Sequence, residues 1–151
     1  MQDEISRFIV RVYGIAFNDT GELLLSDENY AGTHMTKFVG GGLEFGEGLC
    51  EGLQREFREE CNQEIIPGEL FHINGHFQQS AFHPEAQLLS VYYRVRFKEP
   101  FRIPSMAPPK PWAEGAQYFR WVNPLEIETS EMTWPIDREV LAKIKQLGLK
   151  D

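Results

Sequence analysis

Residues 41–61 read GGLEFGEGLCEGLQREFREEC. Four glycines, at 41, 42, 46 and 48, break up the polar first part, and a proline-free run rich in Leu, Glu, Gln and Arg follows from Leu49 to Cys61. That composition predicts a helix over Leu49–Cys61, entered from a glycine-rich turn. With Glu56 at zero on a wheel of about 100° per residue, Glu60 falls near 40° and Glu59 near 300°, so three carboxylates share one face. Gly52 lies in the same arc, and no side chain one turn back covers the acids. Leu53, Phe57, Cys50 and Cys61 occupy the adjoining arc at roughly 60–140° and form the core stripe. Acids on an amphipathic helix are ordinarily a solvated face. Here they crowd the last turns, beside the negative end of the helix dipole, which costs stability unless a ligand compensates. A divalent cation would relieve the repulsion between such closely spaced carboxylates.

Outward from this helix the pattern is mostly of strands. Phe8 to Phe17 is branched or aromatic, Asn18-Asp19-Thr20-Gly21 breaks it, and Leu23-Leu24-Leu25 resumes, which predicts an antiparallel hairpin. Tyr30 to Thr33 reads as loop and Lys37-Phe38-Val39 as a short strand. Gly40-Gly41-Gly42 reads as a turn, because glycine weakens strands and helices alike. Pro67-Gly68 closes a short extended piece. Strands are then expected over Leu70–Gln79, with Gly75 as a bulge, over Gln87–Phe97, and over Tyr118–Val122. Five of the nine prolines lie between Pro100 and Pro111 and mark an irregular loop. Leu125-Glu126-Ile127 reads as a helical turn, and Val140, Leu141, Ile144 and Leu147 recur at helical spacing near the C-terminus. Strands interrupted by two or three helices without regular alternation predict an α/β chain of α+β type, with a mixed sheet between helices.

At 151 residues, with 42% hydrophobic and 25% charged residues, the chain fits one domain over 1–151 with a core of its own. That balance disfavours disorder, collagen and coiled coil. No apolar run reaches the roughly 18 residues of a membrane span, and the acidic start Met1-Gln2-Asp3-Glu4 is unlike a signal peptide, so a cytoplasmic location is expected. Net charge −8 disfavours a nucleic-acid polymer as partner, although a small phosphorylated ligand can bind if metal supplies positive charge. Cys50 and Cys61 form neither a CxxC pair nor a disulfide framework and read as reduced, packed thiols.

The order Gly41, five residues, Glu47, seven residues, Arg55-Glu56, Phe57-Arg58, Glu59-Glu60 resembles the Nudix box. With each of six fixed residue types at about 6–7% usage, chance gives this array with a probability on the order of 10⁻⁵. Two departures follow the helix: Asn62 and Gln63 stand where the family has a glycine and an aliphatic residue. Asn still suits a left-handed helix end, whereas Gln63 removes an apolar contact. Val39 replaces the proline often found before the double glycine.

The resemblance implies the Nudix fold and a metal-dependent pyrophosphohydrolase that uses Mg²⁺ or Mn²⁺. On it, Glu59 and Glu60 are the first metal ligands, and Glu56 is a ligand or the general base. Arg55 orients Glu56, a carbonyl near Gly40 binds metal, and Glu47 anchors or extends the cluster. In many relatives the base, or another metal ligand, comes from a separate loop, for which Glu114 in Trp112-Ala113-Glu114-Gly115 is the candidate. The implied partner is a small nucleotide, with a homodimer left open. The substrate expected is a nucleoside diphosphate linked to a sugar or similar group. A nucleoside triphosphate, oxidised ones included, is the alternative, and a silent nucleotide-binding module is the rival of another class. His72 and His76 are four apart but fall in a predicted strand, where they need not converge on zinc. Phe77, Tyr92 and Trp112 are aromatic candidates for stacking on a base.

Overall fold

The computed structural model describes residues 4–106 and 112–150. Seven strands and two helices follow in the order β1 (Arg7–Ala16), β2 (Leu23–Tyr30), β3 (Thr33–Lys37), β4 (Val39–Gly42), α1 (Leu49–Cys61), β5 (Ile65–Ile73), β6 (Ala86–Phe97), β7 (Gln117–Val122) and α2 (Pro135–Leu147), with a short 3-10 turn at Thr129–Glu131. The expected mixed sheet is present in the order β4-β1-β6-β5, and a second sheet, β3-β2-β7, accompanies it. The central pair, β1 and β6, is parallel over ten residues, from Arg7 opposite Ala86 to Ala16 opposite Val95. None of the helices among the described residues is long and apolar enough to cross a membrane.

Alternation along β1 builds both halves of the core. Tyr13 and Ile15 join Leu23, Leu25, Phe38 and Tyr92 against Val140, Leu141 and Ile144 of α2. Val12 and Ala16 point the other way, with Val91 and Val95, onto Leu53, Phe57 and Cys61 of α1. The sheets therefore lie between the two helices, and the α1 stripe predicted from the wheel is the buried one, except that Cys50 is only partly covered.

Several local expectations are corrected. The first two strands do not form a continuous hairpin: β1 pairs with β4 and β6, β2 with β3 and β7, and only a bridge between Phe17 and Leu23 joins them at the turn. The Tyr30–Thr33 loop shrinks to a tight turn at Ala31-Gly32. Gly40-Gly41-Gly42 is strand rather than turn, paired antiparallel with Tyr13, Val12 and Arg11. Glycine is required there by close approach. At Gly40, with φ +155°, a Cβ would lie 2.0 Å from the Val12 carbonyl oxygen and 2.7 Å from Tyr13 Cα. β5 runs through Pro67-Gly68, its register shifting between Pro67 and Leu70 and again before His72, so the irregularity lies there and not at Gly75. Pro67 is tolerated because β5 is an edge strand. The proline-rich segment is irregular as far as Met106, and residues 107–111 lie outside the described residues.

Candidate active site

Helix α1 is capped at its start by Gly48, whose amide donates to Glu51 Oε1 (3.1 Å), and at its end by Asn62, in the left-handed conformation at φ 53°. The Asn62 amide donates to the Arg58 carbonyl oxygen (3.0 Å), closing the helix as the glycine of the resemblance would. Gln63 acquires a polar role. Its side chain is buried, its amide donates to the Pro100 carbonyl (3.1 Å), and its Oε1 accepts from the Arg102 amide (2.8 Å). The loop after β6 is thereby pinned to the end of α1.

Packing of α1 on β4 sets the acids. The Glu56 carboxylate lies over Gly41, so close that a Cβ there would stand 2.5 Å from Oε1. Gly52 likewise leaves room for Glu47, whose Oε1 would be 2.8 Å from an added Cβ. Arg55 binds the cluster together: Nε and Nη2 donate to Glu47 (2.9 and 2.7 Å), Nη1 to Glu56 (3.0 Å) and Glu59 (3.2 Å), and Nη2 also to the Gly42 carbonyl (2.9 Å). This fork holds the Glu47 carboxyl down at about 2, and Glu47 and Glu56 in turn raise the guanidinium. Burial pushes Glu56 up, with Arg55 opposing it.

Glu60 is further inside. Burial pushes its carboxyl up to about 7 against the pull of Lys37 and a hydrogen bond from Gln117 Nε2 to Oε1 (2.9 Å), and its Oε2 is buried without a partner in the structure. Lys37 is buried beside it. Desolvation lowers its ammonium, but Glu28 and Glu60 outweigh that and hold it above its ordinary value.

Glu56, Glu60 and Gly40–Gly42 line one side of a cavity of about 980 Å³, at the upper end of the size range of small-molecule sites. Arg11, Tyr13 and Lys37 line it too, and Arg11 Nε donates to Tyr13 Oη (2.6 Å). Gln78 to Pro84, Tyr30, Tyr92, Trp134 and Asp137 are among the other lining residues. Phe82 stands edge-on to both Tyr30 (centroids 5.1 Å apart) and Trp134 (5.9 Å).

Of the residues expected from sequence, Glu47, Arg55, Glu56 and Glu59 are brought together and Glu60 lies on the cavity side of α1 with Glu56. Glu59 does not line the cavity; its side chain is 58% exposed and it meets the cluster only through Arg55. Glu114 stands apart. Its carboxylate accepts from the Gly32 amide (3.2 Å), bracing the β2–β3 turn, and it is absent from the cavity wall. His72 and His76 do approach a common group, Glu139 of α2, at 3.6 and 3.3 Å. Of the aromatic candidates only Tyr92 lines the cavity; Phe77 is exposed, and Trp112 stacks on His34 (4.9 Å).

Sequence reasoning missed Arg11, Lys37 and Asp137. A signal existed for Arg11, a charge inside an apolar strand pattern. Asp137, in the first turn of α2, is buried, with Oδ1 accepting from Tyr92 Oη (2.5 Å) and Oδ2 unpartnered in the structure. Burial pushes its carboxyl up to about 6 from an ordinary 3.8. Below pH 3.8 both folded and unfolded chains hold the proton; between 3.8 and about 6 only the folded chain does, so stability falls as pH rises through that window and the loss is complete above it. Two units correspond to about 3 kcal/mol. Urea unfolding at pH 4 and pH 7 is expected to show Asp137→Asn gaining about 2–3 kcal/mol on the wild type across that interval. An equal pH response of the two proteins would refute the buried titration.

The donors assigned by the resemblance are all oxygens, which hard divalent cations prefer, and the orphaned Glu60 Oε2 is an acceptor in want of a partner. In kind, Glu56, Glu59 and Glu60 fit Mg²⁺ or Mn²⁺. As placed, no group of three His, Cys, Asp or Glu among the described residues is arranged to hold an ion. Arg55 is instead ion-paired with Glu47, Glu56 and Glu59, and Lys37 with Glu28.

Comparison with known proteins shows the family and the fold. A family model described as NUDIX domain matches residues 7–144. No curated protein matches the chain. Among solved structures, the ORF135 protein of E. coli is similar at TM-score 0.71 and 22% identity, covering 94% of this chain and 91% of that one. A MutT protein from Methanosarcina mazei Go1 is similar at 0.67 and 18%, covering 98% of each chain. An ADP-ribose pyrophosphatase from Streptococcus suis is similar at 0.60 and 14%, covering 93% and 91%. At these identities the likenesses show the fold.

Proposed function

The chain belongs to the NUDIX family, hydrolases of phosphoric anhydrides, and from that footing we propose that it cleaves the diphosphate linkage of a nucleoside diphosphate joined to a sugar or similar group. One observation carries the reading. Glu56 and Glu60, one turn apart on α1, face the same large cavity as the glycine strand and the cationic Arg11. Residues 1–151 are read as one such domain, acting on a small nucleotide in the cytoplasm.

In this reading Glu56 and Glu60, with Glu59 once released from Arg55, would hold Mg²⁺ or Mn²⁺. When bound, the cation would supply positive charge against the diphosphate oxygens and acidify the attacking water. If the cation is held by Glu59 and Glu60 alone, Glu56 would be free to act as base, taking a proton from the attacking water as its oxygen bonds to phosphorus and the P–O–P bond breaks, the electron pair leaving on the departing phosphate. Arg55 holds Glu56 in place through the fork that also engages Glu47. Arg11 gives the cavity a guanidinium for the diphosphate, and Tyr30, Phe82 and Trp134 offer aromatic faces to a base or a second ring.

Product identification tests the substrate. ADP-ribose, sugar nucleotides and a panel of nucleoside triphosphates are incubated with the chain and Mg²⁺ or Mn²⁺. A nucleoside monophosphate plus a phosphorylated remainder is expected from the first two. Inorganic pyrophosphate from triphosphates, without comparable cleavage of ADP-ribose or sugar nucleotides, would replace this reading by a triphosphate pyrophosphohydrolase. The solved relatives include both a MutT protein and an ADP-ribose pyrophosphatase.

A further inference from the structure

The Lys37 ammonium is enclosed by oxygen. Glu28 Oε2 lies 3.1 Å from Nζ, the Phe38 carbonyl 3.2 Å and the Gly40 carbonyl 3.4 Å, and the side chain is 6% exposed. The face of Tyr13 covers it at 5.5 Å. Of its three N–H donors, two are engaged by the Phe38 and Gly40 carbonyls, and Glu28 pairs with its charge. Its charge is thus already matched by oxygens of the chain, although it stands in the cavity wall. One carboxylate and two carbonyls around a buried positive charge, with the Glu60 carboxylate attracted to it, are the donor set of a hard cation. The Gly40 carbonyl is also the one that the sequence resemblance gives to metal.

Building on the metal-dependent reading above, we propose that Lys37 is a tethered cation: its ammonium takes one of the positions that these oxygens would otherwise offer to a divalent ion. The chain then binds one ion fewer than its oxygen donors could hold. Lys37 is a positioning residue in this scheme. It fixes Glu28 and the Gly40 carbonyl and leaves Glu56 and Glu60 to the ion that acts on the diphosphate. A second ion within the same cage is opposed by repulsion from the ammonium.

Counting bound Mn²⁺ by electron paramagnetic resonance on the full chain tests this without reference to turnover. Lys37→Met keeps the length of the side chain, removes the charge, and frees Glu28 and the Gly40 carbonyl. The variant is expected to bind one Mn²⁺ more than the wild type. Equal, non-zero counts in two folded proteins would reduce Lys37 to a structural ion pair and overturn the inference alone. No Mn²⁺ on either protein would overturn it together with the metal-dependent reading beneath it. Should Lys37→Met not fold, the wild type decides: with ¹⁵N-labelled lysine, a slowly exchanging ammonium signal is expected to persist at saturating Mg²⁺. Its loss on adding Mg²⁺ would mean that the ion displaces Lys37, contrary to the proposal.

Discussion

Glu56→Gln is expected to lower turnover by at least about 10²-fold while the protein stays folded, the size appropriate to a lost base or a misplaced cation. The amide has the shape of the carboxylate, can still lie over Gly41, and can still accept from Arg55 Nη1, so the packing of α1 on β4 is preserved. What disappears is the charge and the basicity. Burial already raises the Glu56 carboxyl, which suits a group that must take up a proton, while Arg55 keeps it from rising further. Steady-state rates together with circular dichroism check this result. Near-normal turnover in a folded variant would remove Glu56 from the chemistry and return the search for the base to groups outside α1.

Gly40→Ala is expected to cost about 3 kcal/mol or more of stability, because the new methyl meets backbone that cannot yield. The Cβ would fall 2.0 Å from the Val12 carbonyl oxygen and 2.7 Å from Tyr13 Cα, both in the central strand β1, at a φ of +155° that side chains rarely adopt. Gly42→Ala is the control. It lies two residues on in the same strand, with nothing within 4 Å of an added Cβ, and is expected to change stability by less than about 1 kcal/mol. Chemical denaturation of the three proteins compares them. Equal midpoints for Gly40→Ala and Gly42→Ala would refute the close approach of β4 to β1.

These two sites differ in how much of them was legible in the sequence. Helix α1 and its acids could be read directly because helical periodicity and the spacing of Arg55, Glu56, Glu59 and Glu60 are local properties. Even so, the wheel grouped Glu59 with Glu56 and Glu60, whereas packing on β4 turns it outward onto Arg55. The glycines were read as a turn because glycine is a poor strand former by itself; only the contact with Val12 and Tyr13, some 27 residues earlier, shows why a strand needs them. Pairing partners were hidden for the same reason. Nothing in the β1 and β2 sequences says that they part after one bridge and enter different sheets. Lys37 and Asp137 escaped notice because a charge in a short polar segment or in the first turn of a helix looks solvated until the tertiary structure buries it. Glu114 was chosen for its loop position, and the turn at Gly32 that it braces is visible only in three dimensions.

The claim on which the rest depends is that the carboxylates of α1 carry a cation-dependent cleavage of a phosphoric anhydride. Initial rates of anhydride cleavage as a function of Mg²⁺ concentration, for the wild type and Glu60→Gln, test it most directly. The wild type is expected to be inactive with chelator and to saturate with Mg²⁺. The variant is expected to require at least about tenfold more Mg²⁺ for half its maximal rate, as loss of one carboxylate ligand implies. Cleavage that persists in chelator, or superimposable Mg²⁺ curves for the two proteins, would contradict the account.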